Sequence, residues 1–200
     1  MGQMFKDELL DKMIGINTTG RDDKSSDDTH LPYEPTSYAV LDRIIEEGYV
    51  TKDNTVVDLG CGKGRVPIYL AKECGCSCVG VDMEKRFIII AEENARSAEV
   101  SGRVSFYTSM AEDFKFSKDM DRFYFFNPFS YNIFRVVLNN ICQSFYDKPR
   151  DIKLFFYYPS DEYMGRLMTE DSLMFVDEIS CMDLFDGKNE REKIVIFEVI

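Results

Sequence analysis

The chain has 200 residues, 44% of them hydrophobic, which is enough apolar material for one globular domain with a continuous core and excludes disorder of the whole. No apolar run approaches the roughly 20 residues that cross a bilayer, so a helical membrane span is excluded. A formal net charge of −12 sets the surface against the phosphate backbone of nucleic acids. That leaves room only for a local basic groove, within a Debye length of about 10 Å.

Lys6, Asp7 and Glu8 stand where a secretory signal would need a basic flank and an apolar block, so a cytoplasmic protein is expected. In that compartment the six cysteines are reduced thiols. Cys74, Cys76 and Cys78, at alternate positions of an extended segment, lack the paired CxxC spacing of zinc sites, and no metal is expected. Met4 to Met13 has the pattern of an amphipathic helix. Gly15 to Pro32, rich in Gly, Thr, Ser and Asp, reads as a mobile loop. It serves equally as a lid beside the sheet or as a frayed terminus. His30, in that polar loop, is given no role. A second helix is expected from Thr36 to Glu47, with Thr36 as its N-cap.

From residue 55 onward, short β-branched or aromatic runs alternate with stretches of helical periodicity, the pattern of a parallel sheet covered by helices on both faces. Strands are predicted at 55–59, 77–81, 104–107, 123–126 and 152–157, and helices at 65–74, 85–98, 131–143 and 160–168. The segments 173–184 and 193–199 also read as strands, joined by the turn-rich Phe185 to Arg191 with Asp186-Gly187 at its centre. Strands joined so closely run antiparallel. The fold class is therefore α/β, a doubly wound, mostly parallel seven-stranded sheet ending in an antiparallel hairpin.

The segment Asp58-Leu59-Gly60-Cys61-Gly62-Lys63-Gly64-Arg65 runs from a buried strand through a glycine-rich turn into a helix. Glycines at alternate positions let the backbone turn sharply and approach a ligand, and the helix directs free N–H groups at it. The dinucleotide fingerprint GxGxxG would want Gly or Ala where Arg65 stands. Asp58 places a carboxylate where a pyrophosphate would be repelled and a cationic amino group welcomed. Asp82, at the tip of the second strand, suits the two hydroxyls of a ribose. It also suits the dipole of the helix that follows it.

Together Asp58 to Gly64 and Val81-Asp82 resemble the first two motifs of the class I S-adenosylmethionine-dependent methyltransferases, over residues 33 to 200 with the terminal hairpin included. The resemblance implies a cofactor site in which Gly60, Cys61, Gly62 and Gly64 border the methionine and ribose portions of S-adenosylmethionine. It places Asp58 near the amino group, Asp82 on the ribose and Met83 against the adenine. In Ser109-Met110-Ala111-Glu112-Asp113, Met110 stands where the family often has an acid on the adenine amino group, so Met110 and Ala111 are the expected adenine contacts. Residues 1–35 then form an N-terminal helix and lid-like loop, and 36–200 the methyltransferase domain.

After the fourth strand, Asn127-Pro128-Phe129-Ser130 resembles the Asn/Asp-Pro-Pro-Tyr/Phe loop of family members that methylate amino groups of bases or glutamine. There the Asn oxygen and a proline carbonyl hold the target nitrogen, and the aromatic ring packs on a flat substrate. This chain has one proline and its aromatic lies one place closer. Asn127, Pro128 and Phe129 are the catalytic candidates, Asn127 also touching the cofactor, and the alternative is a strand-ending Asn-Pro turn. Tyr33-Glu34-Pro35-Thr36 resembles the opening segment of some protein-lysine methyltransferases, which makes Tyr33 a substrate candidate beside Phe129. The expected reaction is transfer to a nitrogen or oxygen on a small molecule or protein. The alternatives are cofactor binding without turnover, methylation of an RNA base and an NAD-dependent oxidoreductase. A monomer or a homodimer fits the sequence.

Overall fold

The computed structural model describes residues 3–22, 33–127 and 129–200; His30 and Pro128 lie outside them. Seven strands, β1 (Thr55–Leu59), β2 (Ser77–Asp82), β3 (Val104–Thr108), β4 (Arg122–Phe125), β5 (Lys153–Tyr157), β6 (Leu173–Ser180) and β7 (Lys193–Val199), form one sheet. Their order is β3-β2-β1-β4-β5-β7-β6, and β7 runs antiparallel to both its neighbours. The chain leaves β1 toward β2 on one side and β4 pairs with β1 on the other. The strand order therefore reverses at β1, and a crevice opens above the carboxyl ends of β1 and β4.

Alternation along the strands builds two cores. Tyr124 of β4 and Phe155 of β5 face the side packed by α2 (Tyr38–Glu46), α3 (Arg65–Cys74) and α4 (Lys85–Ser97). Phe123, Phe125 and Phe156 face the side packed by α5 (Tyr131–Asp147) and α6 (Asp161–Leu167). On that side the rings of Phe125 and Phe156 stack at 4.9 Å and 9°, and Phe134 of α5 meets Phe156 edge-on. β1 is buried on both faces, which is why its sequence reads as an unbroken apolar run with one acid.

Three local expectations are corrected. The strand expected over 173–184 ends at Ser180, the last residue paired with β7, because residues 182–184 turn into a 3-10 helix; a bulge between Phe175 and Asp177 shifts the register within the strand. Thr36 is not the N-cap of α2: Ser37 holds that position, and the Thr36 hydroxyl meets the buried Tyr124 hydroxyl at 3.0 Å. Finally, α1 (Gln3–Ile14) is not amphipathic in the expected sense. It buries Asp7 and Asp11 and leaves Met4, Phe5, Leu9 and Met13 exposed.

The reason is Arg65. Its guanidinium is buried at the start of α3, with Nη1 3.4 Å from Asp7 Oδ2 and Nη2 3.4 Å from Asp11 Oδ1. Nε donates to Thr18 Oγ1 at 2.6 Å and Nη1 to the Thr36 carbonyl at 3.0 Å. Asp11 also accepts from the Thr18 and Thr19 amides and the Tyr38 hydroxyl. A buried charge requires counter-charge and full hydrogen bonding, and α1 supplies both. Burial raises the Asp7 carboxyl above its ordinary range, with Arg65 pulling the other way. No helix among the described residues is long and apolar enough to cross a membrane.

Candidate active site

The turn after β1 carries Gly60, Gly62 and Gly64 with φ of 90°, 50° and 84°, all in the left-handed region. At Gly64 a Cβ would also lie 2.8 Å from Phe106 and 2.9 Å from Ala91. Gly64→Ala is therefore expected to destabilise the protein by about 1–3 kcal/mol, read as a lower melting temperature. An unchanged melting temperature would show that the turn is not held in this conformation. At Gly62 a Cβ would strike the Tyr33 ring at 2.2 Å, so that ring lies directly on the turn.

A cavity opens above this turn, lined by Asp58, Gly60, Cys61, Asp82, Met83, Met110, Ala111, Asn127, Phe129 and Tyr33 among others. Nearly every described residue expected at the site is thus brought to one place. Gly62 and Gly64 shape the turn without lining the cavity. The enclosed space is about 110 Å³, small beside the roughly 300–1,000 Å³ of ligand pockets, and Tyr33 is one of its walls.

Asp58 is 5% exposed and its side chain makes no hydrogen bond with any described residue. Burial, and then the charge of Asp82, push its carboxyl well above the ordinary range. Burial likewise pushes the Cys61 thiol up, followed by the charges of Asp58 and Asp82. Asp82 has structural duties: Oδ2 accepts from the Gly62 amide at 2.8 Å and Oδ1 from the Glu84 amide at 2.9 Å. It thereby ties the glycine turn to the segment that starts α4. Glu112 also lines the cavity, and its Oε2 is buried with no partner among the described residues. The family pattern puts an acid at the position of Met110, two residues earlier, and the carboxylate of Glu112 is the one signal in the sequence for its place here.

At the far wall, Asn127 and Tyr158, just after β4 and β5, have φ of 40° and 55°. Non-glycine residues in this region mark local strain that the surrounding structure must hold. Asn127 Nδ2 donates to the Tyr158 carbonyl at 2.6 Å. A backbone carbonyl only accepts, so the amide nitrogen is committed there and Oδ1 is the atom left for the cavity. Phe129 is largely in the core, edge-on to Phe125 at 6.3 Å, with only part of its ring at the cavity.

The N-terminal segment straps this site. Asn94 joins the Asn17 backbone to the Lys63 carbonyl, Lys63 Nζ donates to the Thr19 carbonyl, and the Tyr33 hydroxyl donates to the Thr18 carbonyl at 2.5 Å. Asp22 and Tyr33 pair through their backbones, and the remainder of the expected lid, residues 23–32, lies outside the described residues. Burial raises the Tyr33 hydroxyl far above its ordinary range.

A second cavity, of about 640 Å³, adjoins the first and shares with it Glu34, Pro35, Arg65, Phe126 and Asn127. Its other walls come from Tyr158, Phe185 and Arg191 on the sheet side and from Gln3 and Met4 of α1.

A family model described as a methyltransferase domain matches residues 50–194. A protein-lysine N-methyltransferase of Saccharolobus islandicus is 40% identical over 77 residues, 38% of this chain and 48% of that protein. A ribosomal protein methyltransferase of Thermotoga petrophila is 38% identical over 65 residues, 32% of this chain and 24% of that protein. The matched segments span less than half the length of either relative. The crystal structure of an RNA methyltransferase from Salinibacter ruber in complex with S-adenosyl-L-homocysteine matches with a TM-score of 0.57 at 21% identity, covering 83% of this chain and 94% of that one, a likeness of fold. With its glycine turn, its paired carboxylates and its closing antiparallel strand, the chain belongs to the methyltransferase domain family, as a class I S-adenosylmethionine-dependent member.

Proposed function

We propose that this chain binds S-adenosylmethionine in the first cavity and moves its methyl group to a nitrogen or oxygen of a small molecule or a protein. The observation that carries this reading is Asp58, a buried carboxylate without a hydrogen-bond partner among the described residues, opening onto the same cavity as Asp82. A buried unpaired acid is costly unless a ligand compensates it, and a cationic amino group does so. Asp82 carries the ribose: a carboxylate oxygen accepts more than one hydrogen bond, so its bonds to Gly62 and Glu84 are compatible with that duty. Met83, Met110 and Ala111 flank the adenine, and Glu112 takes its amino group.

When bound, the cofactor supplies an electrophilic methyl group on a sulfonium. The protein's part is alignment. Asn127, held by Tyr158, presents Oδ1 to a proton of the attacking nucleophile and aims its lone pair. Phe129 and Tyr33 border the acceptor's approach. No acid–base triad is needed.

Parallel thermal-shift measurements with S-adenosylmethionine, S-adenosylhomocysteine and NAD test the cofactor; a ligand at 100 times its dissociation constant stabilises by about 2.7 kcal/mol. Stabilisation by the first two and not by NAD is expected. Asp82→Ala should weaken S-adenosylmethionine binding by about 1.5–3 kcal/mol in calorimetry. Unaltered affinity in the folded variant would remove the ribose assignment.

A further inference from the structure

The second cavity carries a charge pattern that bears on the acceptor. Of the ionised groups on its walls, Arg65 is opposed by Asp7 and Arg21 by Glu34, while Glu192 accepts a hydrogen bond from the uncharged Tyr157 hydroxyl at 2.6 Å and, like Arg191, has no opposite charge within ion-pair distance among the described residues. Arg191 has no carboxylate within ion-pair distance among the described residues. Its Nε and Nη2 donate to the carbonyls of Pro159 and Tyr158 at 3.2 and 3.1 Å, and its guanidinium lies 4.2 Å from the centre of the Tyr158 ring. No described group accepts from Nη1. This guanidinium is half-buried, held in place by those contacts, and keeps a spare donor of the kind that charge-assisted hydrogen bonds to a carboxylate use.

Part of the cavity wall near Arg191 is aromatic. Phe126, Tyr158 and Phe185 supply aromatic walls, with Phe126 and Tyr158 edge-on at 6.4 Å. The Tyr158 carbonyl that receives Arg191 is the same one that receives Asn127, so anchor and aiming group are tied through one oxygen.

We propose that the second cavity takes a small acceptor made of a flat ring and a carboxylate, the carboxylate on Arg191 and the nucleophile at Asn127. This rests on the reading of the first cavity as the cofactor site. The test titrates the protein loaded with S-adenosylhomocysteine with 2-aminobenzoate and with 2-aminobenzamide, which differ only in the anionic group. The carboxylate is expected to bind at least about tenfold tighter than the amide, the effect of one charge-assisted hydrogen bond. Arg191→Met should abolish the difference and Arg191→Lys should retain part of it, each variant still binding S-adenosylhomocysteine. Equal affinity for the two probes, binding of neither, or binding only of a lysine-containing peptide would overturn the acceptor class while leaving the cofactor site standing. Failure of the unaltered protein to bind S-adenosylhomocysteine would overturn both.

Discussion

Asp58→Asn is expected to lower the affinity for S-adenosylmethionine by about 2–5 kcal/mol, the effect of truncating one partner of a buried charge pair, while raising the melting temperature of the ligand-free protein. The two effects have one origin. Burial and the neighbouring charge of Asp82 hold the folded-state carboxyl well above the ordinary aspartate value of 3.8. The folded protein therefore keeps this proton more tightly than the unfolded chain does. The stability this contributes is complete below pH 3.8 and is lost as pH rises through the raised value. Binding of a cationic ligand requires the ionised form, so affinity should climb with pH across the same window. Below its upper end, binding should release a proton, seen as a dependence of the calorimetric heat on buffer ionisation enthalpy. Affinity that is flat with pH, or unchanged in Asp58→Asn, would refute the role given to this carboxylate.

Arg65→Met should be the most destabilising single change in the N-terminal region. It leaves Asp7 and Asp11 buried without a counter-ion. Breaking such a pair from one side costs about 3–5 kcal/mol, a fall in melting temperature of roughly 6–20 °C for a chain of this size. Arg65→Lys should recover only part, since an ammonium cannot reach Asp7, Asp11, Thr18 and the Thr36 carbonyl as a fork. The triple variant Arg65→Met, Asp7→Asn, Asp11→Asn should lie well above the single one, because it removes the stranded charges. Calorimetry ranks the three, and proteolysis around residues 15–20 reports whether α1 has come loose. A single variant as stable as the original would mean that packing alone holds α1.

Arg65 also marks where the sequence was silent. Its identity excluded a dinucleotide fingerprint, which is local pattern, but its purpose lies 54 and 58 residues away on a helix whose acids look like ordinary surface charge. Periodicity assumes that apolar residues alone turn inward, and α1 departs from that rule because Asp7 and Asp11 share the inward face with Leu10 and Ile14 to meet a buried cation. The sheet was legible for the opposite reason. In β1 and β7 nearly every side chain is buried, so an apolar run bounded by turn residues gives each strand's bounds. The glycine turn with Asp58 and Asp82 was legible because three left-handed residues in alternation leave glycine as the residue that fits without strain. Glu112 and the Tyr158–Arg191 pair were not, since their significance depends on which atoms lack partners after folding. The Thr36 hydroxyl meets the buried Tyr124 hydroxyl, 88 residues away, a matter of tertiary placement rather than of helix-capping preference.

Glu34 and Pro35, which follow Tyr33 in the strap, form walls of both cavities, and α1 completes the second. If the first cavity takes a nucleoside as proposed, the Tyr33 ring is displaced from Gly62 and carries with it Glu34 and Pro35, walls of the second cavity. Steady-state kinetics should accordingly follow a compulsory sequence in which the methyl donor arrives first and its demethylated form departs last.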